Sequence, residues 1–490
     1  MTKREHSRFQ GMFQLPDNQE AFGELRLKGA RSILSLSSRS ELPPLREVSH
    51  LLGTTLDQKK VTCIDCIRSS GGSAAGHHYA HVFPHFVTIG NQYIEPISPV
   101  VQSIHFMVDD LLPLFYDFDA FGYVIDANSI MDTVLAERRR LRPIETGEWP
   151  LVAYFTGRST IVEVDTEIGK VSVSHGPSFD AGGPRGIFIK NQMTVSIEAD
   201  SPIVFIESID RMTVIARFLS VIAGRRQGIH DIQLRTVALD DQAWQPLSVH
   251  WSYAPRGPAL INDDLKPHPG DVPLNPIQRP EEFSGVLKNW IHREPGWRQS
   301  RARYVNCLGL GNFYDANRLI AAANMFDILP ADAVPLSTTL PDDLANSQAT
   351  CLDILRKHPA SPDRDAVISA LKRMGKPSLR KKIEYRRAMV EEHFGSRFKE
   401  LAYVVKLAVQ CRNYFVHGPS DDFNFNAAEP FVHFLTDALE FVFAASDLIE
   451  AGWDAAQWDR EAHGQGHTFA RFRDEYPITL AELKRAIASE

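Results

Sequence analysis

The 490-residue sequence predicts an α+β protein of two domains: a β-rich, sandwich-like N-terminal domain with one embedded helix over residues 1–252, a proline-rich linker over 253–280, and an all-helical bundle over 281–490. Three observations carry this prediction. Up to about residue 252 the apolar residues fall in short runs, or alternate with polar ones between turn signals, which is the period of strands. Prolines then crowd at 255, 258, 267, 269, 273, 276 and 280, a density that neither a helix interior nor a central strand accepts. Beyond them the apolar spacing becomes three and four residues, the period of amphipathic helices.

Length and composition agree with this division. A chain of 490 residues exceeds what one hydrophobic core organises. With 43% hydrophobic and 23% charged residues, it is neither disordered nor fibrous. No stretch of about 18 apolar residues lacks a charge, so no membrane partner is expected. The polar start, residues 1–8, leads into no apolar signal core. Five cysteines make no disulfide framework, and a cytoplasmic protein in a reducing compartment is expected. A net charge of −8 argues against a surface coated in positive charge, while leaving room for a local basic patch.

In the N-terminal part, Met193, Val195 and Ile197 alternate with polar residues as in a half-buried strand. Residues 203–206 form a short apolar run, and 161–173 reads as a hairpin turning at Gly169. The embedded helix is expected from an Asp210 cap, through Ile215, Leu219 and Ile222, to Gly224. In the C-terminal part Leu401, Val404, Val405, Ala408, Cys411 and Phe415 make one helical stripe within a helix beginning near Arg397. Phe431, Leu435, Leu439, Val442 and Ile449 make another.

Several common chemistries are missing. There is no Walker loop, no complete Gly-x-Gly-x-x-Gly, no Gly-x-Ser-x-Gly elbow and no His-Glu-x-x-His. The acidic pairs Asp109-Asp110, Asp240-Asp241 and Asp342-Asp343 read as turns and caps, because neighbouring side chains point apart. Cys63, Cys66, His77 and His81 have the spacing C-x2-C-x10-H-x3-H and form a weak zinc candidate. Against it, a regular strand over 61–67 directs the two cysteines to opposite faces. No metal and no cofactor are therefore expected.

The segment richest in chemistry is Cys411-Arg412-Asn413-Tyr414-Phe415-Val416-His417-Gly418-Pro419. Gly418 and Pro419 end the helix, so His417 lies in its last turn. Asn413 and His417 share a face, whereas Arg412 and His417 are about 140° apart on an ideal helix. Imidazole moves protons near neutral pH, guanidinium stabilises a developing phosphorane, and an amide orients either group. The plainer reading is an Arg and a His that satisfy helix C-terminal carbonyls. The same Arg-x4-6-His spacing at 225–230 and 460–467 runs through glycines and lacks this helical setting.

Arg412-Asn413-x-x-x-His417 resembles the R-(polar)-x-x-x-H signature of HEPN domains, helical bundles that in many families are metal-independent ribonucleases. The wider layout is similar to ApeA-like anti-phage HEPN proteins, in which a β-rich domain precedes the bundle. Phe86-Val87-Thr88-Ile89-Gly90, Ser103-Ile104-His105-Phe106 with Asp109-Asp110-Leu111, and residues 205–237 carry this likeness, as does 317–326, which resembles the first bundle helix. It covers the chain to about Gly452 and leaves 453–490 unmatched. The resemblance implies catalytic Arg412 and His417 with Asn413 as the polar member. It also implies a homodimer or higher oligomer built through the bundle, and RNA, tRNA included, cut by its own 2′-OH, which DNA lacks. A phage-derived trigger would act on the N-terminal domain as sensor or restraint, in an abortive-infection type of defence. The alternative is a non-catalytic RNA- or nucleotide-binding or dimerisation module.

A basic run supports nucleic acid. Residues 372–387 hold eight Lys or Arg and one acid, Glu384. Ser378 can cap a helix there, and Arg380, Lys381, Lys382, Arg386 and Arg387 are expected to meet phosphates, with Tyr385 stacking on a base. A solvated helix face is the bland alternative. Arg298, Arg301 and Arg303, with Trp297 and Tyr304, form a weaker cluster of the same kind.

Overall fold

In the computed structural model the described residues are 7–181, 184, 186–237, 246–257, 266–337, 339–419 and 423–489, and Asp240-Asp241 lies outside them. By compactness the chain divides into two units. The first comprises Met1–Ala216, Gln227–Arg256 and Leu274–Ser284; the second comprises Arg217–Arg226, Gly257–Pro273 and Gly285–Glu490.

In the first unit, β1 (Ser7–Gln14), β2 (Glu20–Leu27), β3 (Ile33–Ser38), β4 (Glu47–Thr55), β5 (Lys60–Ala74) and β6 (His77–Gly90) are all antiparallel to their neighbours. Their order β6-β3-β2-β1-β4-β5 is closed by the β5–β6 pairing. The expected sandwich is thus a six-stranded barrel, a closure that removes the exposed edges a sandwich would keep. Phe13 is wholly buried within it, and glycines make room for its ring. A Cβ at Gly23 or at Gly53 would stand 2.5 Å from ring carbons of Phe13.

The barrel also overturns the zinc candidate. Asp65 adopts a left-handed φ of 51°, which breaks the strand's alternation, so Cys63 and Cys66 join the same hydrophobic cluster instead of facing opposite ways. Burial pushes the Cys66 thiol up to about 12 and holds that of Cys63 well above its usual range. The histidines are elsewhere. Cys63 pairs opposite Val87 whereas His77 pairs opposite Ala74, ten residues or roughly 33 Å further along β6. His81 meets the Ser35 hydroxyl at 3.0 Å. Among the described residues no group of three or more potential ligands could hold a metal.

β6 continues into an open sheet through β16 (Leu247–Trp251), in the order β10-β11-β14-β7-β15-β16. These strands are β7 (Val101–Val108), β10 (Thr160–Thr166), β11 (Gly169–His175), β14 (Met193–Ile203) and β15 (Ile229–Thr236). The expected hairpin is present, with Gly169 at φ 104° beginning β11. The turn α1 (Leu111–Leu114), the ribbon β8 (Phe121–Ile125) with β9 (Leu151–Phe155), helix α2 (Asn128–Leu141) and the ribbon β12 (Ser178–Ala181) with β13 (Ile187–Lys190) complete the unit. The embedded helix α3 (Phe205–Ala223) starts five residues before the expected Asp210 cap. The apolar run 203–206 therefore ends a strand and begins a helix, with Glu207 in the first turn. Among its described residues the proline-rich stretch forms no helix before Pro280, and Val272 and Leu274 are buried.

The helical unit contains α4 (Pro280–His292) from Gly285 on, α5 (Glu294–Leu308), α6 (Ala316–Asp327), α7 (Asp342–Arg356), α8 (Pro362–Lys372), α9 (Leu379–Phe394), α10 (Leu401–His417), α11 (Phe425–Ala428), α12 (Val432–Ala451), α13 (Ala455–Arg460) and α14 (Thr468–Ala488). α12 is central and buried nearly all round, packed against α6, α9, α10 and α14. Its charges are matched from its neighbours. Asp447 takes two bonds from Arg301 (2.8 and 2.9 Å), one from the Trp290 indole (3.1 Å) and an ion pair from Arg293. Arg301 also reaches Glu294, which pairs with Arg217. Its guanidinium lies 3.7 Å from the Trp290 ring centroid. Two turns toward the N-terminus, Arg318 grips Glu440 with two bonds, 2.8 and 2.9 Å.

Of the second basic cluster, Arg301, Trp297 and Tyr304 are therefore core, each at most 2% exposed, whereas Arg298 and Arg303 are exposed. Burial alone would push Asp447 up, but Arg301 and Arg293 outweigh it and hold the carboxyl below the usual range. Removing this carboxylate would take from Arg301, Arg293 and the Trp290 indole the acceptor they share. Asp447→Ala is expected to destabilise the protein by about 3–5 kcal/mol, read as a lowered denaturant midpoint by tryptophan fluorescence.

Candidate active site

α10 is entered through Glu400 in the left-handed conformation, φ 60°, so it begins at Leu401 rather than near Arg397. Leu401, Val404, Val405, Ala408 and Cys411 are buried as the stripe predicts. At the other end Gly418, φ 90°, returns its N–H to the Tyr414 carbonyl at 2.9 Å and stops the helix. His417 is the last helical residue, exposed, and its ring makes no hydrogen bond or ion pair among the described residues. The helix end is braced by α11. Tyr414 stacks on Phe425 with ring centroids 4.2 Å apart and planes within 2°, and Phe415 meets the same ring edge-on at 5.1 Å.

Arg412 lies at the rim of the packed face, half-buried. Its Nη2 donates to Asn324 Oδ1 on α6 at 3.0 Å, and its Nη1 donates to Asn413 Oδ1 at 3.2 Å. Its Nε is buried without a hydrogen-bond partner. Both acceptors are neutral amides. Asn324 escaped sequence reasoning because it is 88 residues away on another helix, within 317–326, where only the family likeness drew attention.

The basic run divides. Ser378 caps α9 by accepting from the Lys381 N–H, as expected. Arg380, Lys381 and Tyr385 are exposed and, with Pro335, Ser378 and Glu384, line an open cavity of about 660 Å³. Arg386 is a correction: it is 0% exposed, bonded to Ser446 and Glu450 at 2.9 Å each, with its guanidinium over Trp297. It sits one helical step from Ile383 and Val390 on the inward stripe, a spacing that marked it as core. Arg387 is held by Glu384 and Glu391, and Lys382 by the Asp327 carbonyl at 2.7 Å, so neither stands ready for phosphate. Of the other two Arg-to-His spacings, His467 is wholly buried, caps α14 and is lowered to about 3 by burial; it stays neutral.

Another cavity of the helical unit, about 870 Å³, is lined by α12, α14 and the 308–314 connection. Asp437 on its wall accepts two contacts from the Tyr314 hydroxyl, 2.8 and 3.0 Å. Burial, aided by Glu440, pushes this carboxyl up to about 7.

Barrel, bundle and motif together define a two-part protein with a basic-and-imidazole helix end. Two family models match it: ApeA N-terminal domain 1 over residues 8–290, and Apea-like HEPN over residues 320–457. The chain belongs to the ApeA-like HEPN proteins. HEPN domains of this kind are anti-phage effectors, typically ribonucleases that dimerise and act on RNA. No curated protein and no solved structure matches the chain. No helix among the described residues is long and apolar enough to cross a membrane.

Asp437 lies inside the HEPN match and gives a pH signature. With the folded carboxyl titrating near 7 and an unfolded aspartate near about 4, the folded state holds a proton that the unfolded chain has released. Stability therefore falls as pH rises through this window and levels above it. Asp437→Asn removes the effect. Its melting temperature relative to wild type is expected to climb between about pH 4 and 7 and stay level above.

Proposed function

We propose that the protein is an endoribonuclease effector of anti-phage defence that cuts RNA without a metal, by attack of the 2′-OH on its own phosphodiester. The observation that carries the reading is the state of Arg412. It is a cation held in place by two amide oxygens, with no carboxylate paired to it among the described residues, on the same helix end as an exposed imidazole. A charged, oriented guanidinium suits a pentacoordinate phosphorane, and imidazole suits both removal of the 2′ proton and protonation of the leaving 5′ oxygen. Asn413 serves as the polar member that steadies Arg412.

One copy leaves the arrangement incomplete. About 140° of helix rotation separates Arg412 from His417, so a facing second copy supplies the complementary group in a dimeric cleft. The RNA, tRNA among the candidates, is led to the cleft over Arg380, Lys381 and Tyr385, which stand open to solvent. The N-terminal domain, residues 1–252 with the 253–280 stretch behind it, acts as sensor and restraint for a phage-derived trigger, because an unregulated ribonuclease would be toxic to its host.

The test is total cellular RNA incubated with wild-type, Arg412→Ala and His417→Ala protein in EDTA, with the cut ends mapped. Wild type is expected to leave 2′,3′-cyclic phosphates, and each variant to lose about 10²–10⁴-fold in rate. A folded variant of either kind that still cuts would refute the assignment. Retained RNA binding with no cleavage under any trigger would favour the non-catalytic module. Arg380→Ala with Lys381→Ala should weaken binding evenly across sequences and reduce its salt dependence.

A further inference from the structure

The way Arg412 is held differs from the way the other buried arginines of the helical unit are held. Arg301 is held by Asp447 and Glu294, Arg318 by Glu440, Arg386 by Glu450 and Arg217 by Glu294. Each of these cations is cancelled on the spot. Arg412 has Asn324 on one side and Asn413 on the other. A guanidinium carries donors only, so each amide must turn its oxygen toward it, and each keeps its own NH₂ group for other acceptors.

Asn324 is the better anchored of the two. Asn413 is exposed and adjoins Arg412 on the same helix, whereas Asn324 stands on α6 between Ala322, Ala323, Met325 and Phe326, all buried. The helix itself is fixed at its start by the Asp315 cap, which accepts from the Arg318 N–H, and by the Arg318–Glu440 pair. Asn324 thus presents an acceptor from a rigid element to a side chain on another rigid element. We infer that Asn324 is a positioning residue for the phosphodiester chemistry: it aims the Arg412 guanidinium through a neutral acceptor, so that orientation is gained and the positive charge is kept for the substrate phosphate.

The inference rests on the nuclease reading for its rate effects, and its distinguishing variant is Asn324→Asp. Aspartate is nearly isosteric and keeps the bond to Arg412, so a purely structural role predicts full activity. If charge is what matters, the new carboxylate neutralises Arg412. The expected result is a variant that melts no lower than wild type, with kcat down about 10²–10³-fold. Its binding of an uncleavable 2′-deoxy-substituted RNA should also show a log–log salt slope smaller by about 0.7, one phosphate contact fewer on a single strand. Asn324→Ala loses aim but not charge: kcat falls while the salt slope stays that of wild type. Should Asn324→Asp fail to fold, Asn413→Asp applies the same neutralisation from an exposed position.

The inference is overturned if Asn324→Asp cuts and binds like wild type, or if Asn324→Ala leaves kcat unchanged. If wild type binds the uncleavable RNA but cuts nothing, the nuclease reading fails alone, and the salt slope decides this one. Wild type that neither binds nor cuts RNA overturns both.

Discussion

The helical unit depends on charges buried along α12. Taking an arginine and a carboxylate out of water costs several kcal/mol per ion, recovered only when geometry is close and the remaining donors are used. Asp447 with Arg301, Arg293 and the Trp290 indole meets that condition, as does Glu440 with Arg318. Such pairs are poor sources of net stability but strict selectors of register. Sliding α12 by one turn against α5 or α6 would leave ions unpaired in a dry core. The rest follows from that register: α6 is locked to α12, α10 packs against both, and so Asn324 arrives beside Arg412.

The same condition explains which sequence signals could be read. The strands of the N-terminal part, the Ser378 cap, the Gly418 stop and the stripe on α10 are local, set by residues within a turn or two of each other, and they were legible. Arg386 and Arg301 were misread as surface cations because an arginine looks the same in sequence whether a distant carboxylate meets it or not. Their partners lie 64 and 146 residues away. Spacing alone did hold a clue, since Arg386 falls on the stripe of Ile383, Val390 and Phe394. The site was half legible for the same reason: Arg412, Asn413 and His417 form one contiguous motif, and Asn324 does not belong to it.

In the N-terminal unit the β-rich character and the embedded helix were legible, and the closure into a barrel was not. Alternation told strands from helices, but it says nothing of closure, which is decided by whether the last strand can find the first. Here β5 pairs with both β4 and β6, and Phe13 fills the interior against two glycines. The cysteines that mimicked a zinc motif are small residues lining that interior, brought to one face by a single left-handed residue, Asp65.

The division of the chain bears on how the molecule can be dissected. The segment Arg217–Arg226 belongs to the helical unit although it is encoded inside the β-rich half, on and just after α3. It delivers Arg217 to Glu294, and the Val221 carbonyl to the His467 ring at 3.2 Å. A cut in the proline-rich stretch would not liberate an intact helical unit, because the excised bundle would leave ten of its own residues behind. Dissection at that seam therefore separates the bundle from a strip of its own packing partners.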